Sequence, residues 1–124
     1  MTVDVFKSVR DFHEAFDVGI SDTPEFPDKD IRKLRVNLIE EEFVEYIESE
    51  IKDDIKNISK EMADMIYIIC GTALTYGIPL DKVFERVHDS NMAKMVNGKV
   101  FRREDGKVIK PSGWEPPKLD DLFE

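Results

Sequence analysis

The sequence predicts an all-α protein, a four-helix bundle followed by a short C-terminal hairpin and an extended tail. Three observations predict it. Over about residues 3–95, apolar residues recur three and four positions apart, as the buried stripe of a helix requires. Apart from Gly71, the glycines and prolines of that stretch gather at Gly19–Pro27 and Gly77–Pro79, where helices can stop and restart. Past residue 95 the texture changes to turn dipeptides and prolines. The 124 residues leave room for one domain, with a helical core over about 3–95 and a hairpin and tail over 96–124.

In order, Val5, Phe6, Val9, Phe12 and Phe16 give a first helix over about 3–17, and Gly19 ends it. Ser21 to Asp30, with Pro24 and Pro27 among small and acidic residues, is a loop. A long second helix runs from near Asp28 to about Ser49, uninterrupted by Gly or Pro and rich in good helix formers. Lys52 to Asn57 forms a polar turn, with Asp53 or Asn57 as the cap of a third helix that continues to Tyr76. Gly77 suits the position past a helix end and Pro79 the first turn of a fourth helix reaching about Met95. Asn97-Gly98 and Asp105-Gly106 flank short apolar stretches and predict a small hairpin. The end, PSGWEPPKLDDLFE, predicts an extended tail lying on the bundle.

Charge narrows the function. With 27 acidic against 18 basic side chains and a net charge of −9, the chain lacks the clustered Lys and Arg that duplex nucleic acid or an anionic membrane demands. The start alternates charge with apolar residues, and the most apolar run, Met65–Ile78, is shorter than the roughly 18–20 residues of a bilayer span. Together with a lone cysteine, Cys70, expected to be an inert core thiol, this points to a cytoplasmic protein.

The acids fall where a core should be. On a wheel of about 100° per residue, Ile31, Leu34 and Leu38 begin an apolar stripe of the second helix, and Glu41, Glu42 and Glu45 continue it. Val36, Ile39, Phe43 and Ile47 line the opposite side, so the helix is expected between its own bundle and a second subunit. On the third helix, Asp64 is the sole charged residue from Met62 to Ile78, with Glu61 one turn before it. Unpartnered carboxylates in an apolar interior cost several kcal/mol each or take up protons. With no Arg or Lys assigned to these stripes, the expected compensation is a hard divalent cation, Mg²⁺ or Mn²⁺. A run such as Glu40–Glu50 is ordinarily a solvated face; its pairing with Glu61 and Asp64 on a nearly uncharged helix favours a metal site.

On the fourth helix the stripe Leu80, Val83, Phe84 and Val87 is continued by Asn91 and Lys94. Lys94 is either a phosphate ligand or a snorkelling helix-end lysine. Lys99, Arg102, Arg103, Lys107 and Lys110 make the following segment basic, a counter-charge for an anionic substrate or for a partner's acids. Glu85-x-x-His88 matches half of a di-iron motif but points off the stripe and has no second copy. His13 and Trp114 either touch a planar base or pack as aromatics.

LIEEEFVE, followed by EMAD, resembles the ExxE…ExxD signature of the all-α nucleoside triphosphate pyrophosphohydrolases, which include MazG, dimeric dUTPases and phosphoribosyl-ATP pyrophosphohydrolase. YIICGTALTYGIPLDKVFERVHDSNMAKM, a DGK turn and the PSGWEPP tail look like the MazG-like, phosphoribosyl-ATP pyrophosphohydrolase-like subgroup over nearly the whole chain. The resemblance implies hydrolysis of a nucleoside triphosphate, of deoxy or modified type, between its α and β phosphates, giving a monophosphate and pyrophosphate. It implies Mg²⁺ held by Glu42, Glu45, Glu61 and Asp64, Glu41 as the residue that activates water, Asn91 and Lys94 on the substrate side, and a homodimer or homotetramer. Nothing in the sequence fixes the base. The competing classes are a di-iron bundle and a non-catalytic helical module that binds metal or a partner.

Overall fold

The computed structural model describes residues 2–124 and is all-α, with four helices and a small C-terminal extension. Its backbone forms two compact units, one ending at Pro79 and the other running from Leu80 to Glu124.

The first unit holds α1 (Val5–Ala15), α2 (Lys29–Ile51) and α3 (Ile55–Tyr76). Each begins at an aspartate in extended or near-extended backbone whose carboxylate accepts the amide hydrogen three residues on: Asp4 from Lys7, Asp28 from Ile31 and Asp54 from Asn57, at 2.9–3.1 Å. Such caps satisfy an orphan amide and are worth about 1 kcal/mol each. The third cap is therefore neither Asp53 nor Asn57. Asp53 instead takes left-handed backbone, at φ 52°, which turns the chain within three residues and lays α3 antiparallel on α2.

α1 packs on α3. The core comprises Val9, Ile58, Cys70, Ala73 and Leu74, and Phe12 stacks on Phe16 and meets Tyr67 edge-on. The loop between α1 and α2 is tied to the end of α3 by amides of Ser21 and Glu25 donating to Leu74 and Tyr76 carbonyls.

The expected stripe of α2 is displaced. Ile31 and Leu34 are exposed, Leu34 by 52%, whereas the neighbouring Arg35 is buried. The line of α2 that faces α3 is Arg35, Leu38, Glu42, Glu45 and Ser49, in alternating steps of three and four. Opposite it runs Asn57, Glu61, Asp64, Ile68 and Gly71, with every step mirrored. Gly71 is needed there, because a Cβ would collide with the Arg35 guanidinium and with Nε2 of the buried His13. Of the second apolar set of α2, Val36, Phe43 and Ile47 are exposed in the single chain and Ile39 is half-buried.

The second unit holds α4 (Leu80–Met92), shorter than expected, and the C-terminal extension. The predicted hairpin is present in short form: Arg102 pairs antiparallel with Val108 across the Asp105-Gly106 turn, with the Arg103 amide donating to the Lys107 carbonyl and the Ile109 amide to the Phe101 carbonyl, and a separate tight turn pairs Val96 with Lys99. Asn97 and Gly98 both take positive φ, the left-handed pair that a two-residue turn demands, but no ladder extends beyond them. The tail is fastened along α4. Trp114 Nε1 donates to the Ser90 carbonyl at 2.7 Å, Arg86 grips Asp121 through two 2.8 Å bonds, and a single 3₁₀ turn spans Asp120–Leu122. Glu85 and His88 are exposed, as a surface position requires.

Gly77 closes α3 at φ 73°, a left-handed conformation where a side chain would also drive into the Thr23 backbone. Gly77→Ala is expected to cost about 2–5 kcal/mol, from roughly 1–2 for the backbone and 1–3 for overpacking, measured by denaturant unfolding.

Candidate metal centre

Glu42 and Glu45 lie one turn apart on α2, and Glu61 reaches them from the second turn of α3. One carboxylate oxygen from each falls within 4.8 Å of the others. Glu61 is buried at 3% exposure, Glu42 is half-buried and Glu45 opens to solvent, so the cluster is a cup with a closed floor.

Electrostatics bear the strain of this crowding. The Glu42 carboxyl is pushed up to about 7 by desolvation first, then by its hydrogen bond to Glu61 and the charges of Glu45, Asp64 and Glu61. The Glu45 carboxyl is raised as well, chiefly by its hydrogen bond to Glu61. Even so, Glu42 Oε2 and Glu61 Oε2 are buried without any hydrogen-bond partner among the described residues. Buried polar atoms are nearly always satisfied, and an orphaned carboxylate oxygen in a cup of acids suits a hard cation. Three carboxylates with free lone pairs fit a hard divalent ion.

Asp64 stands aside from the three. It is half-buried, and Lys60 Nζ holds its Oδ2 at 2.8 Å while lying 3.3 Å from Glu61 Oε1. Its charge still acts on Glu42, so it borders the cup. Lys60 corrects the expectation that no cation sits among these stripes. Its wheel position is off the stripe, but a long side chain one residue before Glu61 and one turn before Asp64 reaches both. Glu41 is exposed on α2, with no side-chain hydrogen bond among the described residues.

Sequence reasoning missed Arg35 altogether. Buried at 7% exposure, it donates from Nε to Thr72 Oγ1 and from its terminal nitrogen to the Ile68 carbonyl, both at 3.0 Å. The signal available was its heptad spacing to Glu42 and Ser49. His13 is a core residue, 3% exposed, its imidazole pushed down by burial and its Nδ1 3.3 Å from the Gly19 carbonyl. It is not placed to stack on a base. Burial likewise pushes up the Cys70 thiol, consistent with an inert core residue.

In the second unit, Lys94 and Lys110 approach one ring: their ammonium groups lie 5.3 and 5.1 Å from the Trp114 centroid. Asn91 is exposed near the end of α4. The structure thus gathers Glu42, Glu45 and Glu61 in one place and Lys94, Lys110 and Trp114 in another.

A family model described as phosphoribosyl-ATP pyrophosphohydrolase matches residues 9–91, well over half of the chain. The match contains Glu41, Glu42, Glu45, Glu61, Asp64 and Asn91 and stops short of Lys94, Lys110 and Trp114. Comparison with curated proteins finds no match.

Two outcomes follow. At a hundredfold excess over its Kd, a divalent ion is expected to stabilise the chain by about 2.7 kcal/mol, a shift of several degrees in melting temperature, and Glu61→Gln to remove most of that shift. In EDTA, the Glu42 carboxyl keeps in the folded state a proton that the unfolded chain releases near its ordinary value of 4.5, so its contribution is lost as pH rises towards 7. His13, shifted down, works in the opposite sense below its ordinary value. The difference in melting temperature between Glu42→Gln and the parent isolates the first effect; it should grow in favour of the variant from about pH 5 to 7 and then level off.

Proposed function

The chain belongs to the phosphoribosyl-ATP pyrophosphohydrolase family, and on that premise we propose that it hydrolyses a nucleoside triphosphate, with Mg²⁺, to the monophosphate and pyrophosphate. Family membership carries pyrophosphohydrolase chemistry on a phosphoanhydride bond. The observation that supports the finer reading is the pair of orphaned, buried carboxylate oxygens on Glu42 and Glu61 beside Glu45. Mn²⁺ would serve the same oxygen ligands.

Bound there, the ion would neutralise phosphate charge and make water more acidic. The remaining work falls to side chains. Glu42, Glu45 and Glu61 supply oxygens, and Asp64 joins them on release from Lys60. Glu41, exposed one residue before Glu42, is the proposed acceptor of the proton lost by the attacking water. Its carboxylate needs only modest basicity once that water is polarised. Lys94 and Lys110 are proposed to meet the anionic phosphates, their directions set by the Trp114 face. Asn91 is the proposed donor to the substrate from the end of α4.

The exposed Val36, Phe43 and Ile47 on α2 favour a homodimer or homotetramer, because a single chain leaves that line wet. The lone thiol, Cys70, supports assignment to the reducing cytoplasm.

A panel of ordinary and modified nucleoside triphosphates, assayed with Mg²⁺ for monophosphate and pyrophosphate, tests the proposal; release of inorganic phosphate alone would overturn the bond assignment. Glu42→Gln and Asp64→Asn should abolish metal-dependent turnover. Glu41→Gln should lower kcat by about 10²–10⁴ with metal affinity retained, and loss of both together would make Glu41 a ligand instead.

A further inference from the structure

The facing lines of α2 and α3 follow the spacing of a two-helix coiled-coil seam, yet all but one pair of positions is polar or glycine. Leu38 opposite Ile68 is the one apolar pair. Between that pair and the turn lie the carboxylates, whose like charges contribute no attraction between the helices. Side-chain hydrogen bonds between neutral or cationic groups that join the two helices occur, among the described residues, only at its two ends.

At the turn end, Asn57 Nδ2 donates to Ser49 Oγ, and the Ser49 hydroxyl donates to the Glu45 carbonyl at 2.9 Å. Ser49 is one turn beyond Glu45 and Asn57 one turn before Glu61, so this bond is the next rung to the carboxylate contact itself. Ser49 is 1% exposed. At the far end, the Arg35 guanidinium clasps Thr72 and the Ile68 carbonyl across Gly71, with no carboxylate within ion-pair distance among the described residues. A buried arginine spent on a hydroxyl and a carbonyl does not neutralise the acids; it fixes where one helix sits against the other.

We propose that Ser49 with Asn57, and Arg35 with Thr72, are paired positioning residues that pin the register of α2 on α3 and thereby make Glu42, Glu45 and Glu61 converge. The inference rests on the metal reading given above for what that convergence serves. Magnitude supports it. A slip by one helical turn displaces facing residues by about 5.4 Å, more than the 4.8 Å within which the three oxygens lie. An apolar seam tolerates such slips, whereas a polar pair that must find its partner does not.

The test separates positioning from stability. Replacing both partners of a buried hydrogen bond by apolar groups is often close to neutral for stability. The double variant Ser49→Ala, Asn57→Leu should therefore keep its melting temperature near the parent's. Its Mn²⁺ affinity, read by electron paramagnetic resonance, should fall about tenfold. In the metal-free protein its Leu38 and Ile68 methyl groups should give a second set of NMR signals. Arg35→Met with Thr72→Val should do the same from the other end. Val9→Ala, in the α1 contact, should lower the melting temperature and leave Mn²⁺ affinity unchanged. A folded double variant with one set of methyl signals and unaltered Mn²⁺ affinity overturns the proposal. If the double variant does not fold, Ser49→Ala alone, which removes only the hydroxyl, is put through both measurements with the same criteria. A parent protein that binds no Mn²⁺ would defeat the metal reading, and the methyl signals would still decide the register.

Discussion

The packing of α2 on α3 is arranged around carboxylates set on a helix-packing line, with Glu61 buried and Glu42 half-buried. Apolar residues at those positions would have packed α2 against α3 with no electrostatic cost. Glutamates there must be answered in some other way, and the structure shows two answers: the reach of Lys60, and side-chain hydrogen bonds at either end of the seam. None of these satisfies Glu42 Oε2 or Glu61 Oε2. The residual need for positive charge is thus a property of the fold itself, and it is what ties family membership to a chemical act.

Much of this was legible in the sequence because helices report their faces through spacing. Glu42, Glu45 and Glu61 are separated from apolar neighbours by the steps that any inward residue must keep, and Asp64 stands alone in a stretch without other charges. The phase of the stripe was not legible. Leu34 and Arg35 are adjacent, and hydrophobicity favours Leu34 for the core, but the line of α2 that meets α3 takes Arg35, which donates to Thr72 and the Ile68 carbonyl, and leaves Leu34 exposed. Lys60 escaped for a different reason: a wheel records where Cα atoms point, and a four-carbon stem can carry its charge across to another face. The hairpin is as small as the short stretch between Asn97-Gly98 and Asp105-Gly106 allows, with residues 101–103 pairing with 107–109.

In the second unit, one indole organises the C-terminal segment. Trp114 anchors by its N–H to the Ser90 carbonyl, and its ring lies close to two ammonium groups. With Arg86 holding Asp121, the tail becomes part of the surface of α4 rather than a free strand. The ring is thus shared between an anchor to α4 and two neighbouring ammonium groups.

The three-residue turn at Lys52–Asp54 also has a bearing on how quickly the protein forms. Glu45 and Glu61 are only sixteen residues apart in the chain, so their meeting closes a short loop and belongs among the low-contact-order events that lead folding. The repulsion of the cluster is therefore met on the way up the barrier, not after it. Acidic groups at such an early seam make the folding rate itself sensitive to ionic conditions, with the nascent α2–α3 hairpin closing faster where cations or protons are abundant.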